Sequence, residues 1–220
     1  SFNSKIGSNK VVTCYSNIGA SYSALGRYDN AIQNLLEAVK LIKKDININL
    51  RSVGIVYNDL AGTYQNVGDI KKAKYYYKYA LDVLDKNKKD LKKECSIPIL
   101  VNMGDLYINE NNFNKAKLAL DKAYKLAQLN KKKSYLSHIQ YLRGFLGIEM
   151  NDFENSELCL NEALDLAKSI ENKVVELECY FYFAKLYFKK RIFKKAISYL
   201  YTGLENGGDS VGEEYMKKCY

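Results

Sequence analysis

The chain has 220 residues and a net charge of +9, from 34 Lys and Arg against 25 Asp and Glu, with one His, one Pro and no Trp. A content of 47% hydrophobic and 13% aromatic residues excludes a disordered chain, and 13 Gly with one Pro exclude a collagen-like or low-complexity chain. One Pro over this length is typical of long helices, because an interior Pro costs about 3 kcal/mol.

Small residues recur in five successive segments of the chain. In each segment a second small residue follows the first after twelve positions, and a third follows after seven more. The fifteen positions are Gly19, Ala31, Ala38, Ala61, Ala73, Ala80, Gly104, Ala116, Ala123, Gly144, Ser156, Ala163, Ala184, Ala196 and Gly203. The segments follow one another at spacings of 42, 43, 40 and 40 residues. Self-similarity at such a period indicates a repeat protein.

Each segment is predicted to fold as a helical hairpin. Facing small residues let two helix axes approach closely, and larger residues fill the flanking gaps. In the first helices these are Tyr22, Tyr64, Tyr107 and Tyr187, and in the second helices Leu35, Tyr77, Leu120, Leu160 and Leu200. Gly26, Gly68, Asn111 and Asn151 stand where a first helix ends, which predicts a left-handed turn residue. Arg191 occupies this place in the fifth segment, where we expect a different turn.

Three further local features are expected along the chain. Pro98 predicts a kink or a late start of the first helix in the third segment. Arg143 and Gly147 replace apolar residues in the fourth segment and predict an irregular first helix there. A partial apolar face in residues 209–220 predicts a capping helix.

The spacing of small residues resembles the tetratricopeptide repeat, TPR. The resemblance covers roughly residues 11–206, although the opening Trp and closing Pro of that family are absent and the period is 40–43 rather than 34. It implies an all-α, right-handed TPR superhelix of five hairpins, about ten helices, with a C-terminal capping helix. We expect one domain over 1–220, with units near 11–50, 51–93, 94–133, 134–173 and 174–206 and the cap at 209–220. The absent initiator Met predicts a fragment of a longer protein.

By this resemblance, the first helices line a concave surface that binds a peptide or protein segment. Its inward positions carry amides and carboxylates in the first three units and aromatic residues and lysines in the last two. The expected groove residues are Asn17, Asn58, Asp59, Gln65, Asn66, Asn102, Asp105, Asn109, Tyr141, Phe145, Phe181, Tyr182, Lys185, Phe188 and Lys189. Asn pairs with both a peptide C=O and an N–H, so a ladder of amides can hold an extended backbone.

The resemblance leaves several roles open. The lysine and arginine positions of chaperone-binding TPR clamps are occupied by Ser16, Pro98 and Asn102, which argues against a chaperone-tail receptor. With its long repeat period, the chain resembles the sensor domains of Gram-positive regulators that bind peptide pheromones. Kinesin light chains and cell-polarity adaptors have repeats of similar length, so an assembly scaffold is the alternative.

Other functional classes find less support in the sequence. No G-x-x-x-x-G-K-[ST] or H-E-x-x-H motif occurs, and His138 has no second His beside it, so we expect no catalysis, no cofactor and no metal. The basic residues are 30 Lys and 4 Arg, which disfavours base-specific nucleic-acid recognition. No apolar run approaches the ~20 residues of a membrane span, and no C-x-x-C pair occurs. We expect a cytoplasmic protein, with its oligomeric state left open.

Overall fold

The computed structural model describes residues 2–45, 47–85 and 94–219, with side chains for 7–45, 47–85 and 94–207. This part of the chain is helical and contains no strand, which confirms the all-α prediction. Its ten helices are α1 (Phe2–Ala24), α2 (Tyr28–Lys44), α3 (Leu50–Asn66), α4 (Ile70–Asp85), α5 (Ser96–Asn109), α6 (Phe113–Leu129), α7 (Lys133–Glu149), α8 (Phe153–Ser169), α9 (Lys173–Lys189) and α10 (Phe193–Cys219). None of these helices, within the ranges given, is long and apolar enough to cross a bilayer.

The helices pair as hairpins, and the contacts group them into two compact units. The first unit is Ser1–Met103 and the second is Gly104–Tyr220, with the boundary inside α5. In the first unit α1 packs on α2 and α3 on α4, and α3 also contacts α1 and α2. In the second unit α7 packs on α8 and α9 on α10, and α9 also contacts α7 and α8. A first helix therefore stacks on the preceding hairpin, as in a TPR solenoid. That the chain forms a single domain, and that its superhelix is right-handed, remain predictions.

All fifteen predicted small residues are buried. At three of the four glycines among them, a leucine of the second helix occupies the space of a side chain. An added Cβ would lie 2.6 Å from Leu35 Cγ at Gly19, 2.7 Å from Leu120 Cδ2 at Gly104 and 2.6 Å from Leu160 Cδ2 at Gly144. The close approach of the two helices of a hairpin thus depends on the missing side chain, as the spacing predicted.

The turns inside the hairpins share one left-handed residue. Gly26 and Gly68 have φ of 71° and 81°, and Asn111 and Asn151 have φ of 56° and 59°, which confirms the predicted turn residues. The different turn expected at Arg191 is wrong, because this residue has the same conformation with φ 59°.

Backbone hydrogen bonds explain why Arg191 tolerates this conformation. Its N–H donates to the Phe188 carbonyl at 2.9 Å, and the Ile192 N–H donates to the Tyr187 carbonyl at 2.8 Å. Asn111 and Asn112 make the same pair of bonds in the third hairpin. These bonds satisfy the last carbonyls of the helix and offset the cost of a left-handed residue with a side chain.

The predictions for the first helices of the third and fourth hairpins have opposite outcomes. α5 begins at Ser96, so Pro98 lies in its first turn and the late start is confirmed. The irregular helix expected at Arg143 and Gly147 is wrong, because α7 is continuous over Lys133–Glu149. Arg143 lies over the Tyr124 ring at 4.7 Å and pairs with a carboxylate of α6, so its charge is accommodated beside the core.

The C-terminal helix is longer than predicted. α10 runs from Phe193 to Cys219 without a break, so residues 209–219 continue the second helix of the fifth hairpin and do not form a separate cap. The side chains of the predicted apolar face at Val211, Tyr215 and Met216 lie outside the described residues.

A cluster of three tyrosines, with a stacked pair of rings, recurs in two hairpins. Tyr57, Tyr64 and Tyr76 form it in the α3–α4 hairpin, and Tyr180, Tyr187 and Tyr199 form it in the α9–α10 hairpin. The rings of Tyr64 and Tyr76 are 5.5 Å apart at 8°, and those of Tyr187 and Tyr199 are 5.5 Å apart at 7°. The abundance of Tyr therefore has a packing cause, since the same aromatic contact closes both hairpins.

A lysine at the start of the second helix covers the first-helix tyrosine in three hairpins. Lys72 lies 4.8 Å from the centre of the Tyr64 ring, and Lys195 lies 4.8 Å from the Tyr187 ring. In the third hairpin Lys115 lies 5.8 Å from the Tyr107 ring. Part of the positive charge of the chain is therefore held on aromatic faces at the turns.

Candidate functional site

The predicted amides of the first unit converge on a cleft with a volume of about 240 Å³. We call it the amide cleft. Three helices line it, and its residues are Ala20, Ser23, Ala24, Asn58, Asp59, Gly62, Thr63, Asn66 and Asn102. Four of the predicted groove residues, Asn58, Asp59, Asn66 and Asn102, are thus brought together. They meet because they occupy the same face of successive first helices.

Hydrogen bonds join the polar side chains of the amide cleft. Asn102 donates from Nδ2 to Asn58 Oδ1 at 3.0 Å, linking α5 to α3. Ser16 donates from Oγ to Asp59 Oδ2 at 3.0 Å, linking α1 to α3. Thr63 donates from Oγ1 to the Asp59 carbonyl at 2.8 Å and lies 3.3 Å from Ser23 Oγ. Side chains that are already oriented by their neighbours lose little freedom when a ligand binds.

Asp59 is the one charged side chain among the nine that line the amide cleft. Burial raises the pKa of Asp59 to about 6, against hydrogen bonds from Ser16 and Asn58 that lower it. Burial has this effect because a low-dielectric environment disfavours the ionised carboxylate.

Small residues make the space of the cleft. Ala20, Ala24 and Gly62 carry little or no side chain where the first helices face the opening. A Cβ added at Gly62 would meet only the Tyr77 hydroxyl, at 3.5 Å. We did not predict Ala24, Gly62 or Thr63 as cleft residues. Ala24 and Gly62 could have been found in the sequence as small residues at inward positions outside the fifteen packing positions.

Other predicted amides lie apart from the cleft. Gln65 accepts a hydrogen bond from the Tyr77 hydroxyl at 3.1 Å, so its Oε1 is directed toward α4. Asn17 on α1 and Asn109 on α5 are exposed and line no part of the cleft. Asp105 lies in the second unit. Burial lowers the pKa of His138, and the charge of Asp105 acts in the opposite direction.

In the second unit, the predicted aromatic residues of α7 and α9 form a packed cluster. The Tyr182 ring lies 5.9 Å from Tyr141 in a stacked arrangement and 5.2 Å from Phe145. His138 meets the Tyr141 ring edge-on at 4.9 Å. Burial, followed by the charge of Glu178, raises the pKa of both Tyr141 and Tyr182. Their hydroxyls therefore stay protonated at neutral pH, and these rings hold α9 on α7.

The predicted lysines of α9 are paired with one carboxylate. Lys185 Nζ lies 2.9 Å from Glu149 Oε1 and 4.7 Å from the centre of the Phe145 ring. Lys189 Nζ lies 3.5 Å from Glu149 Oε2 and donates to the Ile148 carbonyl at 3.2 Å. Burial alone would raise the pKa of Glu149, but the hydrogen bond and charge of Lys185 outweigh it and the pKa is lowered. A ligand carboxylate would have to compete with Glu149 for both ammonium groups.

Phe181 and Phe188 line a second cavity, whose lining does not include Tyr141. This apolar groove has a volume of about 540 Å³ and runs between α9 and α10. Its residues are Phe181, Ala184, Lys185, Phe188, Phe193, Ala196, Ile197 and Leu200. Phe188 is 64% exposed and Phe193 is 52% exposed, which is unusual for large aromatic residues. The predicted aromatic residues thus divide between internal packing and an open groove.

Family models described as tetratricopeptide repeat match residues 11–86 with one model and residues 97–128 and 137–170 with a second. Protein KINESIN LIGHT CHAIN-RELATED 3 of Arabidopsis thaliana is 28% identical over 160 residues, which are 71% of this chain and 24% of that protein. The chain therefore spans about a quarter of the length of this curated relative.

Many solved structures share the fold. BtubC (BKLC) from P. vanneervenii superposes with a TM-score of 0.81 at 16% identity, covering 93% of this chain and 83% of that one. The apo form of RapI superposes with a TM-score of 0.75 at 13% identity, covering 93% and 55%. Both superpositions support a TPR-type stack of helical hairpins.

Proposed function

Because the chain belongs to the tetratricopeptide repeat family, we propose that it binds a short peptide or protein segment in the amide cleft, without catalysis of its own. The observation that carries this proposal is the hydrogen-bonded pair of Asn102 and Asn58 in the lining of the cleft. Each side-chain amide has two donors and two acceptor sites, so the pair retains groups for a peptide C=O and N–H. The small residues around it leave space for a main chain.

A more specific form of this proposal is that the chain is the peptide-sensing domain of a regulatory protein. The fold of RapI, one of the Rap regulators, supports it, as does the long repeat period. A sensor needs a site that holds short peptides by their backbone, and the amide cleft supplies such groups. The nine residues of the cleft contain no His, Cys or Lys.

An assembly scaffold is the second candidate. The observation that favours it is the exposed apolar groove of α9 and α10, with Phe188, Phe193 and Ile197 each at least half exposed. Exposed apolar surface of this kind is typical of protein contacts. A scaffold would bind a folded partner there and would not need the amide cleft.

The experiment that tests the proposal is affinity selection from a pool of random synthetic heptapeptides, followed by calorimetric titration of the peptides that are retained. The double variant Asn58→Ala, Asn102→Ala should weaken binding by roughly 5- to 150-fold, because each lost hydrogen bond contributes about 0.5–1.5 kcal/mol. The matched control is Asn30→Ala, Asn161→Ala, which changes two exposed amides on second helices. Equal affinity of both double variants, with unchanged circular dichroism, would remove the amide mechanism.

A further inference from the structure

The amide cleft contains a carboxylate without a cationic neighbour, in a protein of net charge +9. None of the nine residues that line the cleft is Lys, Arg or His. The groups that hydrogen-bond to the Asp59 carboxylate are the Ser16 hydroxyl and the Asn58 amide, and both are neutral. The cleft is therefore a local acidic site on a basic protein.

Three buried or partly buried carboxylates elsewhere in the described chain are paired with a cation. Glu157 lies 3.0 Å from Lys190 Nζ, and Glu176 lies 2.9 Å from Lys173 Nζ. Glu149 lies 2.9 Å from Lys185 Nζ. A buried charge without such a partner costs free energy that neutral hydrogen bonds offset only in part. Asp59 differs from these carboxylates in facing an open cleft, where a ligand can supply the missing charge.

The surroundings of Asp59 fit an ammonium or guanidinium group. Such a group has three to five donors and no acceptor, so its remaining N–H groups need oxygen atoms nearby. The cleft offers the hydroxyl oxygens of Ser23 and Thr63 and the amide oxygen of Asn66. The small side chains of Ala20, Ala24 and Gly62 leave the approach to the carboxylate open.

We propose that the amide cleft binds its peptide through a positively charged group of that peptide, either the amino terminus or a Lys or Arg side chain, with Asp59 as the counter-ion. This inference rests on the proposed peptide-binding function. The raised pKa of Asp59, caused by burial, agrees with it, because a cation brought to the cleft would favour the ionised form.

The test uses three pools of random hexapeptides in affinity selection against the chain. The first pool has free amino termini and contains no Lys, Arg or His. The second is amino-acetylated and contains Lys and Arg. The third is amino-acetylated and contains neither. A charge-assisted hydrogen bond is about twice as strong as a neutral one, so retention from the first or second pool should exceed that from the third by roughly five- to tenfold. The first two pools distinguish an amino terminus from a side chain.

Asp59→Asn should remove this preference, because Asn keeps the shape and the hydrogen bond from Ser16 but not the charge. Asp82→Asn, on the exposed side of α4, is the control and should retain it. The net charge of +9 repels cationic peptides, so nonspecific attraction cannot produce the expected result.

The outcomes separate this inference from the proposed function. Equal retention of the three pools by the unmodified chain would overturn the inference and leave peptide binding in place. Equal loss of all pools in Asp59→Asn would also overturn it, because Asp59 would then act on the structure of the cleft. No retention from any pool would overturn the proposed function itself.

Discussion

Replacing Gly147 with Ala tests whether the fourth hairpin depends on bare backbone contact between its two helices. A Cβ at this position would lie 2.8 Å from Ser156 Cβ, 2.9 Å from Ser156 Cα and 2.9 Å from the Asp152 carbonyl oxygen. Two of these three atoms belong to the main chain. The Asp152 carbonyl also accepts the N–H of Ser156 at 3.0 Å, at the start of α8. The helix must therefore move as a whole to relieve the contact.

The magnitude follows from two opposing effects. Ala in place of Gly in a helix interior stabilises by about 1 kcal/mol, whereas overpacking a closed contact costs roughly 1–3 kcal/mol. Gly147→Ala should therefore lower the free energy of unfolding by up to about 2 kcal/mol. Gly62→Ala is the matched control, because its nearest contact is the Tyr77 hydroxyl at 3.5 Å, and it should stabilise by about 1 kcal/mol.

The assay is urea unfolding followed by far-ultraviolet circular dichroism, with each variant compared with the unmodified chain. The helix-propensity gain is common to both variants, so the difference between them measures the steric contact. We expect Gly62→Ala to be the more stable by roughly 1–3 kcal/mol. Equal stability of the two variants would refute the reasoning, since it would mean that α7 and α8 can separate without cost.

Three more changes have defined outcomes. Ala80→Leu fills a position that is 0% exposed and should destabilise by about 1–3 kcal/mol, while Lys78→Leu on the exposed face should have little effect in the same urea titration. Arg191→Gly relieves a φ of 59° and should raise the thermal midpoint, whereas Lys194→Gly inside α10 should lower it. Asp59→Asn should stabilise at pH 7 by about 3 kcal/mol at most, because the folded pKa of about 6 lies above the unfolded value. This gain should fade as the pH falls from 6 to 4, where the carboxyl of the unmodified chain is itself protonated, and a constant gain across that range would contradict the assignment.

The fold was predictable from the sequence because helix packing depends directly on side-chain size. A buried position between two close helices admits only Gly, Ala or Ser, and the fifteen-position pattern follows from that limit. The left-handed turn at Arg191 was missed because residue preference is a weaker effect than two backbone hydrogen bonds. The regular helix at Gly147 was missed because the sequence does not show that α8 lies against the bare backbone.

The candidate site was predictable only in part, for a different reason. The helical period places Asn58, Asp59 and Asn102 on one face, and the structure brings them together. The helical period does not predict which residue a long side chain contacts. Gln65 accepts from Tyr77, and Lys185 pairs with Glu149, because those partners lie on other helices at distances along the chain that no local pattern specifies.

The two tyrosine stacks give each compact unit its own optical probe. The chain has no Trp, so its near-ultraviolet signal comes from Tyr and Phe. One stack, around Tyr64 and Tyr76, lies in the first unit, and the other, around Tyr187 and Tyr199, lies in the second. We expect Tyr76→Phe to weaken the circular dichroism of the first stack alone and Tyr199→Phe to do the same for the second. A pair of such variants can therefore show whether the two halves of the chain unfold in one transition or in sequence.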